Sequence, residues 1–476
     1  MRRDLRAILA DGATFSLMVG AGETYLPAFA LAVGMGEVAA GLVATLPLVA
    51  GALLQLASPL AVRRLRSYRR WVVLCACCQA LSFIPLVVAA IVGNVPPLLV
   101  YAMAAVYWGA GMGTGPAWNT WMGTLVPVAL RARFFARRTR ISQACVLTGF
   151  LLGGITLQIG ASRGYRVDAF ALCFLGAAIC RLLSAAFLWR QSEPAPPSDH
   201  HRNVPVVELL RRHRSQDGAL LLYFLSMQAA VQVSGPYFTP FMLDKLKLSY
   251  AQYAVLVGSA FLAKVVMLPI LGRCARAWGP RRLLWIGGVG VIPLASLWLL
   301  SNSFEFLLFL QVAGGATWAA YELAMLLLFI EAIRADERTS VLTTYNVGHA
   351  LATAVGALGG GAILYTLNKS HTAYLTIFAL SSALRVLCLG LLARVPEPSG
   401  KPAANVLRSI ALRVLALRPT DDSVERPILA GMEDDDTGGA VSEADLPLAK
   451  EVSVADQPRR PRPRRDQIKS QSASAK

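Results

Sequence analysis

Apolar residues run along this chain in long uninterrupted stretches, separated by short polar and often arginine-rich breaks. About 20 mostly apolar residues suffice to cross the hydrocarbon of a bilayer as a helix. Twelve stretches meet that length: 13–34, 38–61, 71–93, 97–126, 140–161, 168–190, 218–243, 251–272, 281–301, 304–333, 341–367 and 371–393. None alternates with a period of two, and backbone groups cannot go unpaired in lipid, so each is predicted to be a helix. The pattern therefore predicts an all-α polytopic membrane protein. A six-helix bundle at 1–190 is followed by a polar linker at 191–217, a second six-helix bundle at 218–394 and a tail at 395–476.

The charges between the runs orient this layout. If the spans alternate sides, one face carries Arg2, Arg3 and Arg6, then Arg63, Arg64, Arg66, Arg69 and Arg70, then Arg131, Arg133, Arg137, Arg138 and Arg140. Arg190, Arg202, Arg211, Arg212, Arg214, Arg273, Arg276, Arg281, Arg282, Arg334, Arg338 and Arg394 fall on the same side. The opposite face has only Arg163, Arg166, Lys245, Lys247 and Lys369, a bias of about five to one. The positive-inside rule then predicts cytoplasmic termini and a cell-membrane protein.

Composition agrees with this reading. The chain is 55% hydrophobic and only 16% charged, against about a quarter charged in soluble domains. The formal charge of +18 sits in short inter-span clusters, so it reads as topology rather than nucleic-acid binding. The eight cysteines, Cys75, Cys77, Cys78, Cys145, Cys173, Cys180, Cys274 and Cys388, lie within apolar runs or at their ends. None has partners at metal-ligand spacing, so no metal or cofactor is expected. No loop carries a nucleophile–base set, so no enzyme is expected. The first apolar run is too long for a signal peptide and is expected to be retained as a span.

Outside the spans, Val204–Arg214 in the linker and Asn405–Arg418 in the tail could lie along the membrane surface. The acidic run at 433–436 and the basic run at 459–465 belong to a tail without a core, expected to be disordered.

The halves repeat each other. At an offset of 200, Gly115, Trp118 and Trp121 of span 4 fall on Gly315, Trp318 and Tyr321 of span 10. Spans 6 and 12 each carry one arginine, Arg181 and Arg385. The loop after span 8 reads Gly272-Arg273-Cys274-Ala275-Arg276-Ala277-Trp278-Gly279-Pro280-Arg281-Arg282, and the loop after span 2 ends likewise in Arg69-Arg70. The glycines suit a tight turn.

On these features the chain resembles the major facilitator superfamily. Gly272, Gly279 and Arg281 match that family's Gly-x-x-x-Asp-Arg-x-Gly-Arg-Arg loop. The motif's Asp is Arg276 here and aligns with Arg64, so a latch of the cytoplasmic face would need an acid from elsewhere, such as Glu331, Asp336 or Glu337. The resemblance implies secondary active transport of a small organic solute by alternating access. It implies a monomer among membrane lipids, without nucleic acid.

An ionisable group at mid-membrane is costly and normally faces protein or a watery cavity. Glu23 sits in Gly20-Ala21-Gly22-Glu23-Thr24-Tyr25-Leu26-Pro27, a pattern suited to a helix that bends. Glu322 lies in span 10, Lys264 in span 8, Asn119 in span 4, and Gln228 and Gln232 share one face of span 7. The resemblance implies that spans 1, 4, 7 and 10 line the cavity. Glu23, Asn119, Gln228, Gln232 and Glu322 are then the expected proton and substrate pathway, with Trp118, Trp121, Trp318 and Tyr321 as its aromatic walls. The alternative for Glu322 is a fixed pair with Lys264, and Arg181 and Arg385 are expected to be structural at the periphery. Protons are the expected drive, with no nucleotide-binding Gly-x-x-x-x-Gly-Lys-Ser/Thr motif present. Export of amphipathic compounds, uncoupled facilitation, and a transporter-shaped receptor or scaffold remain alternatives.

Overall fold

A computed structural model describes residues 2–93, 95–126, 128–193, 216–332 and 338–394. Among them the chain forms helices and no strand. Span 1 runs Arg2–Ala21 and resumes at Leu26–Ala32, span 2 is Glu37–Val43 and Leu46–Leu65, and span 3 is Tyr68–Leu81 and Phe83–Val92. Spans 4, 5 and 6 are Pro97–Leu125, Val128–Ser162 and Asp168–Trp189. Span 7 is Gln216–Gln232, continued after a break by Phe238–Pro240 and Phe241–Lys245. Spans 8 to 12 are Tyr250–Trp278, Pro280–Ser296, Phe304–Ala332, Arg338–Thr366 and His371–Ala393. Among the described residues, eleven are long and apolar enough to cross a membrane by composition; the glycines, tryptophans and Asn119 of span 4 lower its mean hydropathy. Residues 194–215 and 395–476, with the expected surface helices and charge runs, lie outside the described residues.

Several helices extend past the ends that hydropathy implied, spans 1 and 5 furthest. Span 1 starts at Arg2, not 13, and takes Asp11 into the bundle, where it is buried. Span 5 starts at Val128, so the arginine cluster of 131–140 continues the helix instead of forming a loop. Arginine is a good helix former, so nothing local stops the helix there. The exterior is apolar, with Leu98, Phe309 and Leu387 each at least 70% exposed, while Asp11, Arg181, Lys264 and Arg385 are buried. That inversion of the soluble pattern is what lipid solvation selects.

Spans 1 and 7 are both interrupted past their middles, toward the end opposite the arginine-rich loops, at Gly22–Tyr25 and Ser234–Tyr237. The two breaks are pinned in the same way. The Tyr25 hydroxyl donates to the Phe150 carbonyl of span 5 (2.6 Å), and the Tyr237 hydroxyl donates to the Ala357 carbonyl of span 11 (2.6 Å). Each ring lies on a glycine pair, Gly153 and Gly154 in one half and Gly360 and Gly361 in the other. Around these pins the helices nearly touch backbone to backbone. A Cβ added at Gly20 would overlap the Val146 carbonyl, and one at Gly360 the Val233 carbonyl. Small residues permit such approaches where lipid supplies no hydrophobic drive between helices.

The packed core is divided into three. One cluster joins both halves at the end opposite the arginine-rich loops, with Tyr25, Phe150 and Phe170 on one side and Tyr237, Tyr250 and Tyr253 on the other. Rings cross the seam, Tyr25 to Tyr253 at 6.4 Å and Phe170 to Tyr250 at 6.0 Å. At the arginine-rich end the clusters are separate, one around Val72, Trp121 and Phe135 in the first half, the other around Phe224, Leu284 and Phe329 in the second. Among the described residues the halves are thus sealed together at one end and packed in separate clusters at the other.

The crossings give a sharp contrast between neighbouring glycines. Gly360→Ala should destabilise the protein by about 1–3 kcal/mol through overpacking. Gly359→Ala, where a Cβ meets nothing within 4 Å, should be neutral or stabilise by a few tenths to about 1 kcal/mol. Thermal melting of the two variants in detergent checks this, and equal melting shifts would contradict it.

Candidate functional site

The two breaks face a common cavity between the halves. Span 1 contributes Glu23, Thr24 and Pro27, and span 7 contributes Val231, Gly235 and Phe238. Trp108 of span 4, Lys264 of span 8, Gln311 and Trp318 of span 10 and Arg385 of span 12 complete the polar and aromatic wall, with Trp298 just beyond span 9. Helices broken at mid-depth are tolerated where they line such a cavity.

Local chemistry keeps the breaks satisfied. In span 1 the Thr24 hydroxyl donates to the Val19 carbonyl (3.0 Å), and the Tyr25 amide donates to the Gly22 carbonyl (3.1 Å). In span 7 the Ser381 hydroxyl of span 12 donates to the Ala230 carbonyl (2.7 Å). Glu23 is only 8% exposed, and its carboxylate accepts a hydrogen bond from the Tyr107 hydroxyl of span 4. Arg385 reaches from span 12 to the second break, donating to the Val291 carbonyl (2.8 Å) and the Ser234 hydroxyl (3.3 Å). A carboxylate thus stands at the first break and a guanidinium at the second. Lys264 and Glu322 form an ion pair at 2.8 Å.

Known proteins share this arrangement of helices. The model of the Major Facilitator Superfamily matches residues 219–429. A mutant form of the nucleoside transporter NupG, solved by crystallography, aligns with TM-score 0.63 at 12% identity, covering 83% of this chain and 100% of that one. A D-xylose-proton symporter aligns with TM-score 0.62 at 14% identity, covering 84% and 98%. A bacterial homolog of the human lysosomal transporter Spinster, solved inward-facing and unoccupied, aligns with TM-score 0.58 at 15% identity, covering 87% and 96%. The sequence of the second half thus matches the superfamily's model, and the fold is that of these solved transporters. No curated protein matches it by sequence.

Of the residues expected along the pathway, Glu23 and Trp318 line the cavity. Others are placed differently. Gln228 donates to the Thr353 hydroxyl of span 11 (3.0 Å), and Gln232 is fully buried beside Gly356. Trp118 stacks under Arg138 (4.5 Å), the Trp121 indole donates to the Ser192 carbonyl (2.9 Å), and Tyr321 packs in the second-half core. Asn119 is half-buried on span 4 outside the cavity wall, and Glu322 stands behind Lys264. Arg385, expected at the periphery, instead lines the cavity, because its long side chain follows the gap that the break in span 7 opens.

The loop motif also resolves into parts. Gly279 makes the turn, with φ of +84°, whereas Gly272 is buried within span 8 and turns nothing. Arg281 is half-buried, and Arg282, Arg64 and Arg70 are exposed. Arg69 donates to the Gln191 carbonyl (3.3 Å) and covers the Trp189 ring, while Glu193 accepts from the Ser67 hydroxyl (2.7 Å) and the Arg69 amide (3.1 Å). In the first half, then, Glu193 supplies the acid beside this loop. The side chains of Arg276 and Glu331 lie outside the described residues, as do Asp336 and Glu337 entirely.

Two clusters escaped sequence reasoning. Asp11 accepts from Ser184 (2.7 Å) and pairs with Arg138 (3.6 Å), and Arg181 links Ser184 (2.6 Å) to Gln79 (2.8 Å), so spans 1, 3, 5 and 6 share one polar network. At the sealed end Glu37 of the first half pairs with Lys245 (2.8 Å) and accepts from the Tyr374 hydroxyl (2.6 Å), both from the second half.

That clasp predicts a measurable coupling. Glu37→Gln and Lys245→Gln should each lower the melting temperature. A double-mutant cycle should return a coupling of about 0.5–3 kcal/mol. Additive single effects would show that the pair contributes nothing to closure.

Proposed function

We propose that this chain is a secondary active transporter that moves a small organic solute by alternating access and is driven by protons. The observation that carries the reading is the placement of a buried carboxylate, Glu23, at a helix break that lines a cavity between two matched halves. Broken helices at the interface of structural repeats supply the midplane site in many secondary transporters. The two halves are the two bundles, 1–190 and 218–394, and the charge bias supports a cell-membrane protein whose arginine-rich face is cytoplasmic.

The division of the core supports the same cycle. The seal that joins the halves lies away from the arginine-rich face, so the form described here is closed outward. Opening it requires Glu37 to leave Lys245 and Tyr374. Glu23 and Tyr107 link spans 1 and 4 at the cavity. Protonation of Glu23 removes the charge that the Tyr107 hydroxyl satisfies, and so alters the packing of the two cavity-lining helices. Lys264 and Glu322 neutralise each other on the facing wall.

Reconstituted vesicles test the reading. Glu23→Gln should abolish accumulation driven by an imposed pH gradient, a loss on the order of tenfold or more. Tyr107→Phe should weaken the same coupling. Unchanged gradient-driven uptake by Glu23→Gln would overturn proton coupling through this residue.

A further inference from the structure

We infer that the solute taken by this cavity is a small zwitterion with an apolar, preferably aromatic, body; this rests on the transport reading above. The two halves present their breaks to one cavity, and the breaks carry opposite signs. Glu23 stands at the break of span 1. Arg385 is fastened to Ser234 at the break of span 7 and lines the same space. Both side chains are buried. The Tyr107 hydroxyl holds the first, and the Val291 carbonyl and Ser234 hydroxyl hold the second. These contacts fix the two groups in opposite halves, one on each side of the cavity.

The third lining charge behaves differently. Lys264 is bound to Glu322 at 2.8 Å, so this wall adds little net charge. The cavity is therefore polarised from one half to the other. A solute of single sign meets attraction at one end and repulsion at the other. A solute with an ammonium toward Glu23 and a carboxylate toward Arg385 meets attraction at both. A guanidinium suits a carboxylate through its planar set of donors.

Between the charged ends the wall is aromatic. Trp108, Trp298, Trp318 and Phe238 line it, and indole faces accept both flat apolar groups and the approach of a cation. Such a ligand also bridges the halves, because its ends are held by residues of different bundles.

The experiment uses three probes with one body: phenylalanine, phenethylamine and hydrocinnamate. They are a zwitterion, a cation and an anion on the same phenyl ring. Binding to the purified full-length protein in detergent is read by calorimetry. Phenylalanine should bind roughly tenfold or more tighter than either single-charge analogue, as expected when a second charge contact forms in a low-dielectric site. Arg385→Gln should erase the preference over phenethylamine, and Glu23→Gln the preference over hydrocinnamate. Arg385→Lys keeps the charge and should keep the ranking. The wild-type ranking needs no variant, so poor folding of Arg385→Gln leaves the test intact. Equal or tighter binding of phenethylamine or hydrocinnamate, or binding of none of the three, overturns the zwitterion. The transport reading fails separately, if phenylalanine binds but wild-type vesicles show no gradient-driven flux of it.

Discussion

A helix that opens inside hydrocarbon exposes amides and carbonyls that water cannot reach, and each costs several kcal/mol if left unpaired. The two breaks within spans 1 and 7 exist only because that demand is met. Thr24 and Ser381 take freed carbonyls, and short 3-10 turns recover part of the ladder. Tyr25 and Tyr237 then lock each break onto the neighbouring helix through one hydrogen bond to a carbonyl. The glycines of spans 5 and 11 provide the room for the rings. The cavity, the position of Glu23 and the reach of Arg385 all follow from these satisfied interruptions. A continuous helix at either place would present a lipid-like surface and no polar wall.

The same constraint explains the buried charges. Asp11, Arg138 and Arg181 sit among hydroxyl and amide groups from several helices, so no charge in this network depends on a single partner. A network of this kind fixes the rotation of helices about their axes, which apolar packing against lipid leaves loose. It holds the first half rigid as a body at the end where its core is separate from that of the second. A rigid half is what the proposed alternating access requires.

Much of the architecture is legible from the chain alone. The spans follow from long apolar runs, a signal set by the solvent rather than by tertiary contacts. Glu23 is visible because an acid between glycines and a proline has no place in an ordinary lipid-facing helix. Asp11 is not, since it adjoins a basic terminus and reads as solvated there. Glu37 looks like a loop residue; its burial comes from Lys245 and Tyr374, which lie far along the chain in the other half. Arg385 stands out in the sequence but reads as peripheral, because position along a helix gives depth and not direction. Trp118 and Trp318 occupy equivalent places in the repeat, yet one lies under an arginine and the other lines the cavity. Tyr25 and Tyr237 read as apolar aromatics, and only the fold reveals their hydroxyls as anchors.

The shared aromatic core at the sealed end has a thermal consequence. Separating the halves there would uncover Tyr25, Phe170, Tyr250 and Tyr253 along with aliphatic neighbours. Exposing apolar surface to water raises heat capacity, and the cohesion it provides weakens on cooling. The clasp of Glu37 with Lys245 and Tyr374 has no such dependence of comparable size. Temperature therefore acts on the two fastenings unequally: the balance between sealed and unsealed forms should curve with temperature, and in the cold the charged clasp would hold a growing share of the closure.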